Sequence, residues 1–128
     1  MPVVFDASVL LALVFDEPGS ERARRSLSAG VISAVNLSEA IATLSARGAT
    51  ADDIDALIDD LPLDVEPFTL ADARAAGMLR VHTKALGLSL GDRACLALGQ
   101  RLDAMVLTAD RAWAKLPDAL RGAVELVR

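Results

Sequence analysis

Tyrosine is absent from the 128 residues, tryptophan occurs once, at Trp113, and aromatic residues make up 3% of the chain. That leaves no stacking platform of the kind used by generic single-strand binders. Cysteine also occurs once. Cys95, set among Ala94, Leu96 and Ala97, has no internal disulfide partner and reads as a small core residue of a protein kept in a reducing cytosol. The only histidine, His82, falls in mid-helix, so neither a Ser/His/Asp set nor a metal-spaced Cys/His cluster is present. A phosphate-cradling glycine loop is missing as well. Positive charge is in deficit: 13 Lys and Arg stand against 18 Asp and Glu, a net charge of −5. This argues against a protein that holds nucleic acid by a general excess of positive charge, so any such contact must be local. The apolar stretch over 9–15 has no Lys or Arg before it, Asp6 and Ser8 interrupt it upstream, and at seven residues it falls well short of the ~20 that span a bilayer. Neither a signal sequence nor membrane insertion is expected.

Apolar material is abundant, at 53% of the residues. A chain of this length buries roughly two-thirds of the surface its unfolded form exposes. Residues 1–128 are therefore expected to form one soluble domain around one core. Period and punctuation then place the elements. A strand over 3–5 ends at Asp6, and a helix over 8–14 breaks at 16–19. A second helix spans 20–28, with Ser20 as its N-cap and Gly30 closing it before a strand over 31–33. The helix over 34–47 carries Leu37, Ala40, Ile41 and Leu44 on an apolar stripe and Asn36, Glu39 and Thr43 on a polar one.

The next helix, over 50–61, opens with the capping box Thr50-x-x-Asp53 and is expected to bury Ile54, Leu57, Ile58 and Leu61. Its aspartates, Asp52, Asp53, Asp55, Asp59 and Asp60, then form a solvated face rather than a metal site. An edge strand over 63–66 precedes a long helix from 69 or 70 to about 85, and another helix spans 89–102. A strand over 105–107, a short helix from Asp110 carrying Trp113, and a strand over 124–127 complete the chain. Strands separated by helical crossovers imply an α/β fold of three layers, α/β/α, with a mostly parallel central sheet of four to five strands.

In such sheets, ligands bind beyond the carboxyl ends of the strands. Asp6 closes the first strand, Glu39 follows the second closely, Asp92 opens the helix before the fourth, and Asp110 directly follows that strand. Singly, each acid could cap a helix. Gathered at one end of the sheet they repel one another, and a bound divalent cation relieves the repulsion. All-oxygen ligands select a hard ion, Mg2+ or Mn2+. The chemistry implied is metal-assisted hydrolysis of a phosphodiester.

Asp6-Ala-Ser8 after a short strand, Asn36-Leu-Ser-Glu39, Gly87-Leu-Ser-Leu-Gly-Asp92 followed by Arg93-Ala-Cys-Leu-Ala97, and Leu107-Thr-Ala-Asp110 ending with Trp113 together resemble PIN-domain ribonucleases. Among these the chain is most similar to VapC-type toxins of toxin-antitoxin pairs. The resemblance covers essentially the whole chain. It implies metal ligation by Asp6, Glu39, Asp92 and Asp110, with the hydroxyls of Ser8 and Thr108 orienting carboxylates or water. It also implies cleavage of RNA to a 5′-phosphate and a 3′-hydroxyl, a cognate antitoxin protein as partner, a homodimer, and a cytoplasmic setting. Two departures stand out: Ala7 occupies a position where many members carry Ser or Thr, and Trp113 replaces a common Phe. Arg93 and Arg111, beside the acids, are candidates for holding substrate phosphate, whereas Asp72 reads as a capping or solvated residue.

Two other classes compete. Aspartyl phosphotransfer, as in haloacid-dehalogenase-like or receiver domains, also centres on an Asp after the first strand, but position 8 holds Ser8 rather than a second Asp, and no suitably placed Lys follows a late strand. A non-catalytic interaction module would use Leu10, Leu11, Val14 and Phe15 for a partner.

Overall fold

As parallel sheets require, the short runs rich in Val, Ile and Leu are largely buried, whereas the edge run 64–66 is mostly exposed; all become strands. In a computed structural model that describes Met1–Arg128, these are β1 (Val3–Phe5), β2 (Gly30–Ser33), β3 (Asp64–Glu66), β4 (Met105–Thr108) and β5 (Val124–Leu126). They form one sheet in the order β3-β2-β1-β4-β5, and every pairing is parallel. The helices are α1 (Ala7–Phe15), α2 (Ser20–Arg24), α3 (Ala34–Ala46), α4 (Ala51–Asp59), α5 (Leu70–Thr83), α6 (Leu90–Leu102) and α7 (Asp118–Arg121). None is long and apolar enough to cross a membrane.

Successive side chains of a strand point to opposite faces, and this alternation divides the core. Val4, Val31 and Val106 enter a cluster with Leu79 of α5, Cys95 and Leu98 of α6, and Trp113. Phe5, Ile32 and Leu107 enter a second cluster with Val9 and Leu10 of α1, Ala23 of α2, and Leu37 and Ala40 of α3. The result is the expected three-layer α/β/α arrangement, with five parallel strands in the middle layer. β3 lies at one edge, as expected, and Pro67 follows it.

Several local expectations need correction. Ser20 does not cap α2; it is the first helical residue, buried, and its hydroxyl donates to Asp16 Oδ1 at 3.1 Å. Gly19, at φ 100°, precedes it instead. The helix stops at Arg24, and the chain continues into a short 3-10 turn, Leu27–Ala29. Gly30 does not close that segment but belongs to β2, where a side chain would run into Leu63. The capping box of α4 is present, yet no residue of α4 is buried. Ile54, Leu57 and Leu61 are half-buried, and Ile58 is 45% exposed. α4 packs against the end of α3 rather than on the sheet, so its apolar stripe is only partly covered. α7, four residues after Pro117, was not anticipated. Asp72 caps α5 as expected, through a capping box with Thr69, but it is buried rather than solvated, paired with Arg101 at 2.8 Å. Burial alone would push its carboxyl up; the Arg101 guanidinium and the Thr69 amide outweigh this and hold it below the ordinary range.

Candidate active site

From β1 the chain crosses outward to β2 and β3 on one side, and β4 then joins on the other. The carboxyl ends of β1 and β4 therefore lie side by side where the strand order reverses, the place where open parallel sheets form a crevice. Asp6 follows β1, and its N–H extends the ladder by donating to Leu107 O at 3.0 Å. Its carboxylate is buried and meets two hydroxyls: Ser8 Oγ donates to Oδ2 at 2.7 Å, and Thr108 Oγ1 donates to the same oxygen at 3.0 Å. Each hydroxyl has one hydrogen and spends it on Asp6, so the 3.4 Å approach of Ser8 Oγ to Thr108 Oγ1 is proximity only. Backbone amides fix both hydroxyls from behind, Ala109 N–H donating to Ser8 at 2.9 Å and Asp110 N–H to Thr108 at 3.1 Å.

Glu39, on α3, reaches the same place from the second layer. Asn36 Nδ2 donates to Glu39 Oε1 at 3.0 Å and to Gly91 O, at the start of α6, also at 3.0 Å. Asp92 lies in the first turn of α6, where Ser89 N–H donates to its Oδ2 at 3.0 Å to complete a capping box. Asp110 is exposed and caps the 3-10 helix Arg111–Lys115, its Oδ1 accepting from Ala112 N–H at 3.0 Å.

Charge shows which acids lie near one another. Burial pushes the Asp6 carboxyl up; the Ser8 and Thr108 hydroxyls pull it down, and the Asp92 charge pushes it up again. Burial likewise pushes Glu39 up, the charges of Asp6 and Asp92 add to this, and only Asn36 opposes them. The Cys95 thiol beneath them is driven well up by burial and by the same three acids, so it is neutral and inert as a nucleophile. Asp6 and Asp92 thus both lie near enough to act on Glu39, whose carboxylate rests against Gly91, while Asp110 stands at the margin, joined through Thr108.

No arginine or lysine compensates these acids. The ion pairs of the molecule involve Asp16, Glu17, Glu66, Asp72 and Glu125, and none of the four site carboxylates. Arg93 is turned to α5, donating to Ala76 O at 3.0 Å, while Arg111 is exposed next to Asp110. As the side chains stand, no three acids converge into a finished ligand set. The physical reason is visible: Asp92 and Asp110 are drawn into helix caps. Their remaining oxygens, Asp92 Oδ1 and Asp110 Oδ2, together with Glu39 Oε2, accept no hydrogen bond. The donor set is all oxygen, anionic and unpaired, which fits a hard dication.

Asn36 and Gly91 were not among the expected site residues. Asn36 had a readable signal, since i and i+3 share a helix face and Glu39 is three residues on. Gly91 had a weaker one: glycine inside the first turn of a helix costs about 1 kcal/mol relative to alanine, and a Cβ there would land on the Glu39 carboxylate.

The larger concavities lie elsewhere. One, of about 470 Å³, sits among α5, α6 and α7 and includes Met78 and His82; another, of about 450 Å³, runs between α1, α3 and α4, with Val14, Leu44, Ile54 and Leu57 in it and Asp53 and Asp60 at its rim.

The family model described as PIN domain matches residues 3–119. No curated protein matches the chain in sequence. Solved structures with a similar fold include a toxin-antitoxin complex from Klebsiella pneumoniae, 17% identical over 98% of each chain with a TM-score of 0.76. DNA-bound VapBC from Salmonella typhimurium is 19% identical over 100% of this chain and 99% of that one, with a TM-score of 0.76. VapBC-5 from Mycobacterium tuberculosis is 22% identical over 100% and 99% of the two chains, with a TM-score of 0.60. At these identities the likeness is one of fold.

Proposed function

The chain belongs to the PIN-domain family, and from that membership we propose that it is a Mg2+- or Mn2+-dependent endoribonuclease, the toxin of a toxin-antitoxin pair. One observation carries the metal-dependent reading: Asp6, Glu39 and Asp92, buried or half-buried, gather at the carboxyl edge of the sheet with no basic partner among the ion pairs, and the charges of Asp6 and Asp92 act on Glu39. Uncompensated carboxylates in a crevice are costly to folding, and a cation is what makes such a cluster useful. Asp6, Glu39, Asp92 and Asp110 would hold the ion. When bound, it activates water and neutralises the charge that develops on the phosphodiester.

The protein's own groups orient this chemistry. Ser8 and Thr108 hold Asp6 through Oδ2, which leaves Oδ1 without a side-chain hydrogen bond. Asp92 and Asp110, each at a helix start, keep one oxygen for the ion and one for the cap. Arg111, exposed beside Asp110, is the better placed of the two arginines to meet a substrate phosphate; Arg93 is committed to Ala76. Attack of water in line with the P–O3′ bond breaks that bond, leaving a 5′-phosphate and a 3′-hydroxyl.

The groove between α1, α3 and α4 supports an antitoxin segment as partner. Its floor is apolar and its rim acidic, so it suits an amphipathic segment with basic flanks. An arginine from that segment could reach the acidic pocket and neutralise it. Exposed Leu70, Met78 and Val81 of α5 and Leu90 of α6 support a homodimer through that face. On this reading residues 1–128 work as one nuclease domain in the cytoplasm. The deciding experiment is a metal titration followed by cleavage of mixed RNAs: activity that needs Mg2+ or Mn2+ and vanishes in chelator supports the reading, and unchanged cleavage in excess chelator overturns it.

A further inference from the structure

Asn36 is fully buried, at 0% exposure. Both hydrogens of its amide are spent, one on Glu39 Oε1 and one on Gly91 O. This fixes the amide's orientation, because the flipped form would set its oxygen against two acceptors. The other side of the group carries a cost: Asn36 Oδ1 is buried with no hydrogen-bond partner, a loss of stability that an apolar side chain of similar size would avoid. Gly91 is locally unfavourable too, and it alone leaves room for the Glu39 carboxylate against α6. Two choices that weaken their own helices, one on α3 and one on α6, thus converge on a single carboxylate. Such local conflicts are expected where function rather than stability selects the residue.

We propose that Asn36 is a positioning residue: with Gly91 it locks the Glu39 carboxylate onto the first turn of α6, beside Asp92, and so sets the affinity of the acidic site for its divalent cation. This rests on the metal-dependent reading above. Glu39 has three rotatable side-chain bonds and is repelled by Asp6 and Asp92. Left alone, it would relax toward solvent. The Asn36 bridge holds it in place before the ion arrives, so the cost of ordering and crowding the acids is met in folding rather than in binding.

The test is Mn2+ binding to the full chain at fixed pH, by calorimetry and electron paramagnetic resonance. The wild type is compared with Asn36→Leu, Asn36→Asp and Asn36→Ser, each also melted in chelator. Asn36→Leu is expected to weaken Mn2+ binding by about tenfold or more, the range for a lost outer-shell partner, with a melting temperature in chelator equal to or above that of the wild type. Saturating Mn2+ should restore much of its cleavage. Asn36→Ser keeps one donor and should fall between Leu and wild type. Asn36→Asp adds negative charge but loses the bridge, so weaker binding supports positioning, and tighter binding shows that charge alone governs the site and overturns the proposal. A lower melting temperature with unchanged Mn2+ affinity makes Asn36 purely structural, overturning this inference and leaving the metal reading intact. A wild type that binds no Mn2+ overturns both. If Asn36→Leu fails to fold, the Ser and Asp variants decide the same question.

Discussion

Acids crowd two regions of this molecule, with opposite consequences. Asp52, Asp53, Asp55 and Asp59 lie on α4 and Asp60 just beyond it, all exposed, where water and salt screen their repulsion. Hydrogen bonds from Thr50 hold the Asp53 carboxyl below its ordinary range. At the carboxyl edge of the sheet, Asp6 and Glu39 are pushed up by burial and by neighbouring acids. The five acids over 52–60 are close in sequence, whereas those of the candidate site follow β1, lie on α3 and α6, and follow β4. Density of acids along the chain therefore says little; what matters is whether the backbone brings distant acids together away from solvent.

The comparison breaks first at Asp6. Asp6→Asn should lower RNA cleavage by more than about a hundredfold, beyond the ~10–100-fold typical of an outer-shell loss, while raising the melting temperature in chelator by easing repulsion. Wild-type turnover in this variant would place the chemistry elsewhere.

The next effect is the pH dependence of the metal-free protein. Asp6 and Glu39 have folded-state pKa values raised above those of the unfolded chain. The folded state therefore binds more protons over the interval just above the ordinary carboxylate range, and stability falls as pH rises through it. Melting temperature in chelator should climb as pH is lowered from neutral toward about 5, starting from the reference values near 4 for free carboxylates, and saturating Mg2+ should flatten that climb. Asp72, held low by Arg101 and Thr69, acts in the opposite sense: its contribution is present above the unfolded value and lost at more acid pH. A metal-free protein that grows steadily less stable from pH 7 to 5 would show that the site is not under strain.

Smaller still is the loss of a helix cap. Thr50→Ala removes the hydroxyl that accepts from Asp53 N–H and should cost about 1 kcal/mol, read by denaturant melts, with cleavage unchanged. At the bottom of the scale, Asp55→Asn and Asp59→Asn should stay within about 0.5 kcal/mol of wild type and cleave RNA normally. A large loss of activity from either would move the site onto α4.

Much of this was legible in the sequence because periodicity and chain order carry it. The runs at 3–5, 31–33 and 105–107 could only be buried strands, and their spacing by helices implied a parallel sheet. Asp6 and Asp110 were readable because each directly follows a strand. Asn36 was half-readable, through its i, i+3 relation to Glu39, but its bond to Gly91 was not, since that depends on how α3 packs against α6, and residues 55 apart share no local signal. α4 shows the converse failure. Its period correctly groups Ile54, Leu57, Ile58 and Leu61, but a period states which side chains share a face, not whether any neighbour covers it.

Cys95 gives the molecule a gauge of its own opening. The thiol is fully buried in α6, the helix whose first turn carries Asp92, and it is neutral. A thiol reagent can therefore mark it only during excursions in which α6 lifts from the sheet. Because it is the sole cysteine, every label records one such excursion. The marking rate, followed with and without Mg2+, converts ion binding into the free energy of freeing one helix, with no engineered probe.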